Sequence, residues 1–156
     1  MAYNSNYTGK QFDRLKDLGF VSLSAQSALT MTLADTYYAI PGTFVDGGLS
    51  NMFTSNADGS MTYNGEDGAV RFDGTSDISI DATAPVDVIY VLYKNGSPLL
   101  ETETPHGFTA QSKTENVSIT GVLDIANGDT FQIYAKCDTA GKTLTTETLN
   151  VVVQGA

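Results

Sequence analysis

Apolar residues recur at every second position over much of this chain. In residues 116–123, "NVSITGVL", Val117 and Ile119 fall on one side and Ser118 and Thr120 on the other. In residues 130–136, "TFQIYAK", Phe131, Ile133 and Ala135 oppose Gln132, Tyr134 and Lys136. A period of two predicts strands with one face in a core and one in water. Leu29, Met31 and Leu33 alternate in the same way with Thr30 and Thr32. "TYYAIPG", residues 36–42, reads as a strand stopped by Pro41-Gly42, and "TLTTETLNVVV", residues 143–153, as one or two closing strands. Turn residues punctuate the rest: Asp46-Gly47, "NADG" from Asn56, "NGEDG" from Asn64, Asp73-Gly74, Asn95-Gly96, "ANGD" from Ala126 and "TAGK" from Thr139. Residues 98–103 read as a return strand that meets Pro105, and 104–115 as a polar loop. The fold class this predicts is all-β: a jelly-roll β-sandwich of about eight to ten antiparallel strands.

Residues 86–94, "VDVIYVLYK", depart from the pattern. Val86, Val88, Tyr90 and Leu92 lie on one face, but Ile89, Val91 and Tyr93 make the other face apolar too. Nothing in the sequence supplies helices to cover that second face. Burial between subunits would do so, since obligate interfaces resemble a domain core. We assign Ile89, Tyr90, Val91 and Tyr93, with Tyr134, to an interface between copies of this chain.

The N-terminus follows a different period. In "YTGKQFDRLKDLGF", Thr8 and Gln11 have capping-box spacing, and Phe12, Leu15 and Leu18 form one helical stripe closed by Gly19. A short helix is marginal alone and needs a surface to dock on. The expected organisation is an anchoring helix and linker strand over 1–35, then a jelly roll over 36–156. Tyr7, Lys10, Phe12, Leu15 and Leu18 are the expected partner contacts.

Charge narrows the partners. The net charge is −10, carried mainly by residues 21–90 at −8, while residues 1–20 hold +1. An acidic body repels phosphate backbones, which argues against nucleic acid. No apolar run approaches the roughly 18 residues of a membrane span, and no signal-peptide pattern opens the chain. The expected partners therefore exclude membrane, and synthesis is expected in a host cytoplasm.

Candidate chemistry is sparse. The chain has one histidine, His106, and one cysteine, Cys137. That excludes an internal disulfide, and these two alone do not make a zinc site. No Gly-rich phosphate loop or nucleophile elbow is present. Asp73, Asp77 and Asp81, with Glu66 and Asp67, supply oxygens for a hard cation, but the spacing of a calcium loop is missing. There is no tryptophan to floor a sugar-cleaving cleft. The expectation is a non-enzymatic protein without cofactor or metal.

"VIYVLYKNGSPL", followed by a polar loop and "VSITGVLDIANGDTFQIYAK", resembles the core of the trimeric jelly rolls related to tumour necrosis factor and the complement globular head. The matching positions are Lys94, Asn95, Gly96, Leu123, Gly128 and Asp129. "TYYAIPGTF" resembles the opening strand of that group, so the likeness spans about residues 36–154. It implies a homotrimer. The opening "YTGKQFDRLKDL" is similar to openings of small bacteriophage structural proteins such as head fibres and decoration proteins, at Tyr7, Gly9, Lys10 and Asp13. This second likeness implies a virion surface protein attached to a viral capsid protein by its N-terminal arm. The alternative is a receptor- or glycan-binding module of a short fibre or adhesin tip. Its contacts to a host surface glycan would lie on loops 46–48, 64–68 and 104–115.

Overall fold

The computed structural model describes residues 18–47, 52–109 and 113–155. Among them the chain forms twelve strands. The first six are short: β1 (Leu18–Leu23), β2 (Ser27–Met31), β3 (Tyr38–Ala39), β4 (Phe44–Asp46), β5 (Phe53–Ser55) and β6 (Met61–Tyr63). Long strands follow: β7 (Gly68–Ile80), β8 (Val86–Lys94), β9 (Ser97–Phe108), β10 (Glu115–Ile125), β11 (Thr130–Cys137) and β12 (Lys142–Gly155). They make two six-stranded antiparallel sheets. The first runs β10-β7-β12-β1-β4, with β2 also paired to β12. The second runs β5-β6-β11-β8-β9, with β3 paired to β11. This is the expected jelly-roll sandwich, with twelve strands where eight to ten were expected, the excess lying in the two- and three-residue strands β3–β6.

The period of two does the work its pattern promised. Val117 and Ile119 of β10, and Phe131, Ile133 and Ala135 of β11, are all buried between the sheets. They meet Phe72, Ile78, Tyr90, Phe108 and Leu144 in one core. Burying a side chain of this size contributes roughly 1.5–3 kcal/mol, so the core supplies most of the drive to fold.

Four sequence expectations give way, each for a non-local reason. Asp73-Gly74 is not a turn. β7 runs straight through it, because Gly74 lies beneath Ile133 of the facing sheet, where an added Cβ would come within 3.2 Å of the Ile133 Cδ1. The polar loop expected over 104–115 is shorter. β9 continues to Phe108 with Pro105 inside it, which the ladder tolerates because β9 is an edge strand. Residues 143–153, read as one or two strands, form one. A bulge between Thr146 and Thr148 absorbs the extra residue, and Ser76 donates a 2.7 Å hydrogen bond to the Thr148 carbonyl there. Gly19 is not a helix cap. It pairs with Val153 inside β1, next to Leu18 opposite Gln154. The linker expected ahead of a strand in 20–36 is itself largely strand, since β1 and β2 both pair with β12. The rest of the expected helix lies outside the described residues.

Candidate functional site: a tyrosine face on the second sheet

The turn motif that carried the family likeness is a structural clasp. Asn95 and Gly96 both take positive φ, 52° and 76°, the geometry of a tight hairpin turn joining β8 to β9. Lys94 and Asn95 then reach across to Asp129, which precedes β11. The Lys94 ammonium lies 2.8 Å from Asp129 Oδ2, and Asn95 Nδ2 donates to Oδ1 at 2.7 Å. The Ala126 amide donates to Oδ2 at 2.8 Å. Burial works against the charge on Asp129, but these donors outweigh it and hold the carboxyl below the usual range. Asn95 completes the clasp by accepting the Thr130 amide at 2.8 Å. Gly128, at φ 87°, donates its amide to the Tyr63 carbonyl at 2.7 Å, so Lys94, Asn95, Gly96, Gly128 and Asp129 all serve to fix the fold.

The outer face of the second sheet is more distinctive. Tyr134 of β11 pairs with Val91 of β8, Gln132 with Tyr93, and Lys136 with Ile89, so all six side chains share that face. The rings of Tyr93 and Tyr134 stack at 3.8 Å with planes 17° apart. Tyr37 meets Tyr93 edge-on at 5.8 Å. The Lys136 ammonium lies 4.3 Å from the centre of the Tyr37 ring and 3.2 Å from Glu103, and the Tyr37 hydroxyl donates to the same carboxylate. Burial, then the neighbouring Tyr134, push the Tyr93 phenol up against the pull of Lys136, so Tyr93 stays neutral.

Of the residues assigned to an interface, Ile89, Val91, Tyr93 and Tyr134 therefore come together on one face. Tyr90 does not. It points inward with Val88 and Leu92 and is 1% exposed in the core, as its parity in β8 requires. Val91 is on the outer face but 0% exposed, so its cover comes from its own chain. Tyr7, Lys10, Phe12 and Leu15 lie outside the described residues, and Leu18 opens β1 as a strand residue.

The sequence reading missed Tyr37, Glu103 and Lys136 as members of this face. Alternation in β11 already placed Lys136 beside Tyr134. Only the pairing of β3 and β9 around β11 and β8 brings in the other two.

At the Gly96 end the face opens into a cleft of about 260 Å³ lined by Asp58, Ser60, Tyr93, Thr130, Gln132 and Tyr134. Asp58 Oδ1 accepts the Ser60 amide at 3.0 Å and the Ser60 hydroxyl at 2.7 Å. Those bonds, the amide first, hold the Asp58 carboxyl below its usual range. Gln132 Nε2 donates to the Asp58 carbonyl at 2.9 Å and so ties this turn to β11.

The remaining reactive side chains have structural partners. His106 Nε2 lies 3.1 Å from Glu115 and packs edge-on against Phe108 at 5.0 Å, joining the two sheets at their edges. Cys137 is buried, and burial leads the causes that push its thiol up and keep it protonated. Asp73 pairs with Arg71 at 2.8 Å, and Asp77 takes hydrogen bonds from Asn116 and Thr148.

No family model matches the chain. An uncharacterised protein of Archaeoglobus fulgidus is 42% identical over 66 residues. That match takes in 42% of this chain and 46% of the relative, so the likeness spans less than half the length of the curated protein. Among solved structures, Eiger TNF from S. frugiperda superposes with a TM-score of 0.56 at 11% identity, covering 89% of this chain and 92% of that one. Murine APRIL superposes with a TM-score of 0.52 at 11% identity, covering 88% and 98%. At that identity the likeness is one of fold: a jelly roll of the tumour necrosis factor type.

Proposed function

We propose that this chain is a non-enzymatic structural and binding module that works as a homotrimer, with its tyrosine face in contact with neighbouring copies. The observation that supports this reading is the grouping of Ile89, Tyr93 and Tyr134 with Tyr37 on one sheet face. Stacked phenols give large contact area for little side-chain entropy, and their hydroxyls suit a half-wet surface. A closed ring of three copies would satisfy the same patch on each. Val91 already has cover, so Ile89, Tyr37 and Tyr134 carry the contact, with Tyr93 at its edge towards Gly96. The non-enzymatic assignment is supported by His106 and Cys137, one tied to Glu115 and the other buried as a thiol.

The finer role is that of a capsid decoration or head-fibre protein on a virion surface, held to the capsid through Tyr7, Lys10, Phe12 and Leu15. Two sequence features support it: the likeness at Tyr7, Gly9, Lys10 and Asp13, and the contrast between an N-terminal +1 and an acidic body. Co-sedimentation with purified capsids tests it, using the full chain and a chain lacking residues 1–17. Binding that disappears on deletion, while the body stays folded, supports the anchor. Binding that survives deletion refutes it.

A further inference from the structure

The cleft at the Gly96 end of the tyrosine face has a set of hydrogen-bond acceptors of its own. Its rigid wall is the Tyr93–Tyr134 stack, in which each ring braces the other. Its polar wall is Asp58, Ser60, Thr130 and Gln132. Asp58 uses Oδ1 for Ser60, which leaves Oδ2 to accept hydrogen bonds from a ligand. Gln132 uses its amide nitrogen for the Asp58 carbonyl, which leaves its oxygen as a second acceptor. An aromatic wall facing fixed acceptors suits a ligand that is apolar on one side and rich in hydroxyls at its rim.

Charge and size select among such ligands. The ionised Asp58 disfavours an anion. Lys136 adds no charge of its own to the cleft, since it is paired with Glu103 at 3.2 Å and lies outside the lining. Thr130 and Gln132 beside Asp58, facing a flat ring wall, suit a neutral polyhydroxylated ligand better than a compact cation. Drug-sized ligands occupy pockets of about 300–1,000 Å³, and this cleft, at about 260 Å³, is smaller. That size fits one sugar ring.

We propose that this cleft binds a single neutral pyranose of a surface glycan. The C–H face of the ring would lie on Tyr93, and its hydroxyls would donate to Asp58 and Gln132. The site is distinct from the loops 46–48, 64–68 and 104–115 that sequence alone nominates for sugar contact. It does not rest on the trimer. Ile89 lies four residues along β8 from Tyr93 and about 13 Å away at the rise of a strand, so the Ile89 end of the face can hold a neighbouring copy while the Gly96 end stays open.

Saturation-transfer NMR on the full chain tests the proposal. The probes are methyl glycosides of glucose, galactose, mannose and the two common N-acetylhexosamines, with choline and inorganic phosphate as charged controls. At least one glycoside should receive saturation at its ring protons, and both controls should receive none. Asp58→Ala and Tyr93→Ala should each weaken that glycoside about tenfold or more, the size of one lost charge-assisted hydrogen bond or ring contact. Tyr93→Phe should bind as the wild type does. Solution mass and thermal melting of each variant are recorded alongside, so that a loss of sugar with wild-type mass and melting isolates the cleft from assembly and folding. The proposal is overturned if no glycoside binds, if choline or phosphate binds instead, or if folded Asp58→Ala and Gln132→Ala both bind sugar like the wild type.

Discussion

Lys94 and Asp129 sit 2.8 Å apart although they belong to different hairpins, and Asn95 and the Ala126 amide share the same carboxylate. This clasp locks the β8–β9 turn to the β10–β11 turn. With Asp129 only 8% exposed, removing it leaves several donors without their acceptor. Asp129→Ala should destabilise the fold by about 3 kcal/mol in urea unfolding. Lys94→Met should cost less, because Asn95 and Ala126 would still satisfy the carboxylate.

The same carboxyl gives stability a pH dependence with a definite sign. Its folded pKa is lowered from an ordinary 3.8. A group depressed in this way stabilises the fold fully above the unfolded value and stops doing so as pH falls through the folded one. Thermal melts of the wild type should therefore drop as pH falls below about 4. Asp129→Asn should be less stable at neutral pH but should show a shallower acid limb. Parallel acid limbs for the two proteins would contradict the assignment.

Thr102 repairs a break in the β8–β9 ladder. The register slips between Tyr90 and Leu92, and the Leu92 amide donates to Thr102 Oγ1 at 2.9 Å instead of to backbone. The same hydroxyl donates to the Leu99 carbonyl at 2.7 Å. Thr102→Val keeps the shape but strands both buried backbone groups, so it should cost about 2 kcal/mol. Thr102→Ser keeps the hydroxyl and should cost about 1 kcal/mol, the worth of a buried methyl. Chemical denaturation of the pair checks the order.

Tyr90 behaves oppositely. Its buried hydroxyl faces that of Thr146 without a regular hydrogen bond, and burial, only partly offset by Thr146, pushes the phenol far up. Tyr90→Phe should thus be neutral or stabilising by about 1 kcal/mol. Tyr90→Asp should abolish folding itself, with loss of the circular dichroism of the sheets, rather than yield folded monomers.

Much of the sandwich was legible because alternation is a local property. β10 and β11 follow the residues that announced them, and Asn95-Gly96 turns as that dipeptide should. Gly74 and Gly19 misled for one reason: glycine marks either a turn or a close approach, and only the facing sheet decides which. Tyr90 was assigned to the subunit interface against its own parity, since it shares a face with Val88 and Leu92. The doubly apolar face of β8 was visible, but its cover was not. Tyr37 and Glu103 reach it only through the order β3-β11-β8-β9. Asp58 and Gln132 meet across β6 and β11 for the same non-local reason, so no spacing along the chain could have paired them.

The central claim is that the chain works as a trimer. The direct measurement is the solution mass of the wild-type protein by light scattering after size exclusion. The account predicts the mass of three chains, falling to that of one in a folded Ile89→Asp, Tyr134→Asp double variant. A wild-type mass of a single chain at all concentrations would contradict it.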